Sequence, residues 1–343
     1  MIAALIYPSM RRPDVQRRFT GPVMAPSAQV GAQCACAVLL VRPAGFGYNG
    51  DTAPSNRFQR PAQWPDTAAR ARAEFDALVA SIKGAGVRAC VVEDTVEPSK
   101  PDAVFPNNWV SFHRDGSIVL YPMQAPNRRA ERRMELLAAV ERELDFPRTR
   151  LLDLSGNERQ GRMLEGTGSL VLDHVHRVAY ACVSPRTDAA LVREWSALLD
   201  YEPLLFDAHC EGGAPIYHTN VLLSIGSRWA VVCAEAIGAV DRERVLQRLA
   251  CGGREVIQIT RKAMREFAAN ILELCGQDAR GGGRSVLVLS EQARSALEHH
   301  ADHAWQRLSE RVDQVLASAI PTIEMVGGGS VRCMLAEVPQ VLL

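Results

Sequence analysis

The chain has 343 residues, 47% apolar and 23% charged, enough to bury one large core or two ordinary ones. Its 39 Lys plus Arg balance 39 Asp plus Glu, so no global field draws it to nucleic acid, and attraction for a charged ligand has to be local. No apolar run reaches the roughly 18 residues of a membrane span, and nine cysteines without CxxC pairs or framework spacing read as the reduced thiols of a cytoplasmic protein.

Residues 1–33 differ from the rest. They carry Arg11, Arg12, Arg17 and Arg18 against the single acid Asp14, and the apolar run 2–6 is shorter than the roughly 7–15 residues of a signal segment. They are expected to form a poorly ordered arm, with Met24 as an alternative initiator, ahead of one domain over 34–343. The apolar run 37–41 predicts a strand. Cys34 and Cys36 at its start lack a second ligand pair and read as packing residues. A helix is predicted over 66–83, with Asp66 or Thr67 as N-cap and Gly84 and Gly86 closing it, followed by strands over 87–92 and 117–121. The alternation of Arg128, Arg129, Arg132 and Arg133 with Glu131, Glu135, Glu141 and Glu143 predicts a helix over 127–144 with a solvated charged face.

The second half repeats the alternation. Hairpins are predicted from 169–173 with 178–182 and from 220–225 with 229–233, helices over 188–199, 241–249, 261–274 and 291–316, and strands over 285–289, 323–326 and 331–335. Hairpin, helix and strand recur without a visible sequence repeat, which defines an α/β class. His299, His300 and His303 on the late helix lack a further ligand and read as an exposed face.

Four stretches combine polar residues with glycine or proline in ways that packing does not require. They are 101–109, with Asp102, Asn107 and Asn108; 164–169, with Glu165 among small residues; 212–220, delivering His218; and Gly327-Gly328-Gly329 running through Ser330 to Cys333. A lone cysteine is most often a small core residue. Cys333, His218 and Glu165 together supply a nucleophile, a proton shuttle and an orienting acid, the set that thiol chemistry needs.

The ordered series Asp102-x-x-Phe105-x-x-Asn108, Glu165-Gly-x-Gly-Ser169, Ser184-Pro-Arg-Thr-Asp188, His218-x-Asn220 and the glycine loop before Cys333 resembles the amidinotransferase and guanidine-modifying superfamily. That group includes arginine deiminases, dimethylarginine dimethylaminohydrolases and, most similar, bacterial citrulline-utilisation hydrolases. The resemblance spans 35–343 and implies the pentein fold, a five-fold pseudosymmetric α/β propeller of ββαβ units with the site in its central channel. It implies Cys333 as nucleophile, His218 as general acid/base and Glu165 as third member. Arg128 and Arg186 would hold the substrate's α-carboxylate, and Asp102 its α-amino group or a neighbouring loop. No metal or organic cofactor is implied, the partner is a small amino-acid substrate, and a homodimer is left open.

Two departures bear on the substrate. Arginine-processing relatives carry a carboxylate where Asn108 stands, and arginine deiminases another where Asn220 stands; amides pair with a neutral ureido group without supplying countercharge to a guanidinium. Citrulline hydrolysis to ornithine, carbon dioxide and ammonia is therefore the expected activity. Arginine deiminase or dihydrolase and dimethylarginine dimethylaminohydrolase remain alternatives, as do an amidinotransferase and a non-catalytic binding module of this fold. Which of Asn107 and Asn108 faces the substrate is left open.

Overall fold

The computed structural model describes residues 26–277 and 282–341. Five three-stranded sheets share one pattern, an antiparallel first pair and a parallel second pair. In the first unit β1 (Ala37–Arg42) lies between β2 (Arg88–Glu93) and the C-terminal strand β15 (Ala336–Val338), so the end of the chain completes the unit that its beginning opens. The other sheets are β3 (Val110–Phe112), β4 (Ser117–Leu120), β5 (Arg150–Asp153); β6 (Val171–Asp173), β7 (Val178–Cys182), β8 (Glu202–Phe206); β9 (Leu223–Ile225), β10 (Trp229–Val232), β11 (Glu255–Gln258); and β12 (Leu272–Gln277), β13 (Gly283–Ser290), β14 (Gln314–Ser318).

The middle strands β4, β7 and β10 are buried along their whole length, which explains why they are apolar apart from the buried Ser117 that opens β4. The third strands β2, β5, β8 and β11 are partly exposed. First strands of neighbouring units touch around the centre: β15 on β3, β6 on β9 and β9 on β12. A helix joins the second and third strands of each unit, the crossover that a parallel pair requires.

Two of these helices match the sequence reading closely. They are α2 (Thr67–Gly84), burying Phe75, Leu78 and Ile82, and α5 (Ala189–Leu199), whose N-cap Asp188 accepts from the Leu191 amide at 2.8 Å.

Other expectations are corrected. Residues 26–33, assigned to the arm, form α1 (Pro26–Gln33), and buried Gln33 donates to the Leu172 carbonyl at 2.9 Å; residues 1–25, Met24 among them, lie outside the described residues. The expected helix over 127–144 divides into a 3-10 turn, Pro126–Glu131, and α3 (Met134–Glu143), with Arg133 extended between them. Its supposed solvated face fails at Arg128, which is buried. The expected helix over 261–274 stops after α7 (Arg261–Arg265), where Phe267 takes φ +62° and redirects the chain into β12. That over 291–316 breaks into α8 (Glu291–His299) and α9 (Ala304–Ser309), with His303 at φ +49°, before β14. The expected strands at 323–326 and 331–335 are a π-helical turn, Ile323–Gly327, and a helical turn, Val331–Met334. Cys333 therefore sits on a turn ahead of β15, not on a strand.

Candidate active site

The first strand of each unit is entered from a short turn, and these turns pack on one another. Pro106–Asn108 lies against Gly166–Ser169 and Val331–Met334, and Gly166–Ser169 lies against Thr219–Val221. Asn107, Gly168, Asn220, Ala269 and Cys333 each stand three residues before the first strand of their unit. The pseudosymmetry thus gathers five equivalent backbone positions, and the four polar stretches of the sequence supply four of them.

Glu165 is fully buried and accepts from His218 Nε2 at 2.8 Å, Arg186 Nη1 at 3.2 Å and the Gln124 amide at 3.0 Å. A carboxylate can only accept, so Nε2 carries the His218 proton and Nδ1 presents its lone pair. Nδ1 faces Gly168, where an added Cβ would stand 2.7 Å from it and 2.6 Å from Asn108 Nδ2. Only glycine lets His218 and Asn108 close on the same space. Burial lowers the His218 pKa to about 4 against the pull of Glu165, leaving a neutral imidazole at pH 7. Burial opposes ionisation of Glu165, yet Arg186, His218 and Arg128 hold its carboxyl well below the usual range.

Cys333 is 4% exposed, and burial raises its thiol pKa. Two amides contact the sulfur, Asn270 Nδ2 at 3.3 Å and Asn220 Nδ2 at 3.6 Å. The glycine loop is gripped mainly by its carbonyls. Gly327 O accepts from Asn56 and Gln59, and Gly328 O accepts from Tyr217 at 2.9 Å. The Gly328 N–H is committed to the Glu324 carbonyl. Gly328 at φ +63° leaves no room for a Cβ, which would meet the Gln59 backbone nitrogen at 2.7 Å.

Both arginines assigned to the substrate already have partners. Arg128 forks onto Glu131 with two 2.9 Å bonds and donates to Asn108 Oδ1 at 2.8 Å. Arg186, besides Glu165, donates to Ser55 Oγ at 2.7 Å and the Thr52 carbonyl at 3.1 Å, both on the 49–59 loop. Asp102 Oδ2 accepts from Asn49 at 2.7 Å and Thr52 at 3.1 Å, while its Oδ1 is buried without a partner. The Asn107 Nδ2 group is likewise unpaired. Asn108, with Oδ1 on Arg128 and Nδ2 on Asn107 at 3.0 Å, is the more committed of the two amides.

Asn270 was missed because the sequence reading placed it inside a helix; its position two residues before β12, equivalent to Asn108 before β3, is the signal that finds it. His299, His300 and His303 lie far along the chain from these turns. Among the described residues no group of three metal-ligating side chains forms, and no helix is long and apolar enough to cross a membrane.

Five ββαβ units closed into a ring define the pentein fold. The solved structures most like it include ArgZ, an arginine dihydrolase from the ornithine-ammonia cycle in cyanobacteria, with 16% identity and a TM-score of 0.68 over 90% of this chain and 41% of that one. Unliganded AgrE follows at 18% identity and TM-score 0.69, over 90% of this chain and 40% of that one. A dimethylarginine dimethylaminohydrolase, as its adduct with S-methyl-L-thiocitrulline, has 15% identity and TM-score 0.59 over 88% of this chain and 98% of that one. The chain spans about two fifths of the ArgZ and AgrE chains, and nearly all, 99%, of the ArgZ N-terminal domain. No curated protein sequence matches it significantly. Over residues 42–340 the sequence matches the family described as N,N dimethylarginine dimethylhydrolase, eukaryotic, and the chain belongs to that family.

Proposed function

We propose that this protein is a cysteine-dependent C–N hydrolase that releases ornithine from citrulline, with carbon dioxide and ammonia as the other products. The observation that carries this reading is the division of polarity in the site. Amides meet at the thiol, Asn220 and Asn270 on the sulfur with Asn108 across Gly168, whereas the unpaired carboxylate oxygen belongs to Asp102. A zwitterionic head with an uncharged ureido tail fits that division. Asp102 Oδ1 accepts the α-ammonium, and Arg186 turns from the Ser55 hydroxyl to the α-carboxylate, the stronger partner. Arg128, forked onto Glu131, acts as a strut under Asn108 and is removed from carboxylate binding.

In the reaction Cys333 sulfur, whose side-chain bonds are to Asn220 and Asn270 and not to His218, attacks the ureido carbon, and its proton reaches the neutral His218 at Nδ1 by way of the bound substrate or a water. Glu165 stabilises the imidazolium formed. The proton passes to the departing amine, and His218 then activates the water that cleaves the thiol intermediate.

A second reading, arginine dihydrolase, rests on charge. Above about pH 7, where Glu131, which burial pushes up to about 7, is ionised, Asp102, Glu131 and Glu165 outnumber Arg128 and Arg186 with His218 neutral, which favours a substrate with net positive charge. Incubation with citrulline, arginine and dimethylarginine, followed by assay of ornithine, citrulline and ammonia, separates the readings. Ornithine from citrulline is expected, and Cys333→Ser abolishes it. Ornithine with two ammonia per arginine, and none from citrulline alone, establishes the dihydrolase. Citrulline released from dimethylarginine establishes the third activity, and no turnover of any of them overturns the hydrolase reading.

A further inference from the structure

We infer that Asn270 is a catalytic residue: its carboxamide donates to the Cys333 sulfur and holds it as the attacking thiolate in a site that offers the sulfur no bonded cation. The inference deepens the proposed reaction and rests on it only for the turnover measurement below.

The orientation of the amide is fixed independently of the thiol. Asn270 Nδ2 lies 3.0 Å from the Asn220 carbonyl oxygen, which can only accept, so nitrogen rather than oxygen must occupy that position. An amide nitrogen carries two hydrogens; the first goes to Asn220 O and the second is left for Cys333 Sγ at 3.3 Å. Asn270 Oδ1, 3.5 Å from the same sulfur, is placed to accept the S–H of the neutral thiol. One buried side chain, 1% exposed, therefore suits both protonation states and needs no rearrangement between them. Backbone geometry holds it there. Phe267 at φ +62° turns the chain, and the Asn270 N–H closes the turn on the Phe267 carbonyl at 2.8 Å.

The need for such a donor follows from the surroundings of the sulfur. The side chains bonded to it are the two amides of Asn220 and Asn270. During reaction the S–H proton is passed by way of the bound substrate or a water to His218 Nδ1, and the sulfur electron pair forms the S–C bond. The C–N bond of the leaving group then breaks as His218 returns the proton to that nitrogen. Between the first two events the negative charge on sulfur has no countercharge in contact, and the second hydrogen of Asn270 supplies the stabilisation.

The test reads the thiol without substrate. Alkylation of Cys333 by iodoacetamide, followed peptide by peptide by mass spectrometry across pH, gives the thiol midpoint in the parent, Asn270→Ala and the isosteric Asn270→Asp. Loss of a bond to a charged group predicts a midpoint raised by about one unit in Asn270→Ala and further in Asn270→Asp, where a carboxylate faces the thiolate. With citrulline, kcat falls about 100-fold and KM stays within a few-fold. Coincident midpoints in folded variants overturn the inference even if turnover is lost, because a structural role lowers activity without moving the thiol titration. A shifted midpoint with no turnover of citrulline or arginine in the parent leaves Asn270 in its role and refutes the reaction instead.

Discussion

Gly168→Ala isolates the closeness of His218 and Asn108 as a catalytic requirement. The added methyl would stand 2.6 Å from Asn108 Nδ2, 2.7 Å from His218 Nδ1 and 2.8 Å from His218 Cε1, against an ordinary contact beginning at 3.4 Å. Neither neighbour is a free side-chain end. The ring is tied to Glu165 at 2.8 Å, and Asn108 is tied to Arg128 at 2.8 Å. The ring and the amide must therefore separate from the methyl by about 0.6–0.8 Å, a displacement that in a positioned acid/base costs on the order of 100-fold in rate. Overpacking itself costs about 1–3 kcal/mol. The assay is kcat/KM for ornithine release beside the thermal midpoint, with Gly156→Ala, which meets no atom within 4 Å, as the control. The expected result is a loss of about 100-fold in Gly168→Ala with the fold retained, and parent-like activity in the control. A Gly168→Ala enzyme within twofold of the parent would refute the claim that His218 must sit where it does.

Three further outcomes follow from the same geometry. Asp102→Asn removes the charge behind the unpaired oxygen and should raise KM for the amino acid about 100-fold with little change in kcat; a change confined to kcat would remove Asp102 from head-group binding. Arg128→Ala strands buried Glu131 and should lower unfolding free energy by about 3–5 kcal/mol in denaturant titration; a loss of affinity without a loss of stability would return Arg128 to the substrate. Burial depresses His113, His174 and His218 to about 4, about 3 and about 4, so the folded chain binds fewer protons than the unfolded one between pH 6.5 and those values. These groups stabilise the fold above pH 6.5 and lose that contribution as pH falls, by up to roughly 3 kcal/mol for His113. His113→Asn should flatten the fall in unfolding free energy between pH 7 and 5, and parallel profiles for parent and variant would contradict this.

The parts of the fold legible in the sequence are those where burial alone selects the residues. Strands β1 as far as Val41, β7 and β10 are apolar because both faces are covered, and α2 and α5 announce themselves by period and ends. The errors fall where tertiary contacts overrule local pattern. Phe267 adopts a positive φ that its side chain disfavours, so nothing in the run 261–274 marks the change from α7 to β12. The charged alternation at 128–143 hides the one arginine whose fork is buried on Glu131. The polar stretches around Glu165, His218 and Cys333 stood out because small and polar residues had no packing reason to be there. Asn270 did not, since it lies among Phe267, Ala268, Ala269, Ile271 and Leu272, an apolar run in which a single amide carries no pattern. Only the equivalence of the five turns gives it a place.

That equivalence also decides how substrate choice should respond to mutation. Three of the five turns bring an amide to the reacting end: Asn108, Asn220 and Asn270. Glu165, the buried carboxylate behind His218, is consumed by His218 and Arg186. A guanidinium placed there meets no free anion, whereas a ureido group finds donors for its oxygen and acceptors for its N–H groups. Asn220→Asp keeps the shape and changes the charge. Its carboxylate, about as far from the sulfur as the 3.6 Å amide it replaces, opposes thiolate formation for every substrate but neutralises a guanidinium selectively. Absolute rates should therefore fall for citrulline, while the ratio of kcat/KM for citrulline over arginine drops by at least about tenfold, since a single unsatisfied polar or charged contact discriminates at that level or beyond. Both ratios are measured by ornithine and citrulline release under competition. If the ratio stays at the parental value while overall activity falls, the amides serve the thiol alone, and the preference for an uncharged reacting group has to reside elsewhere in the channel.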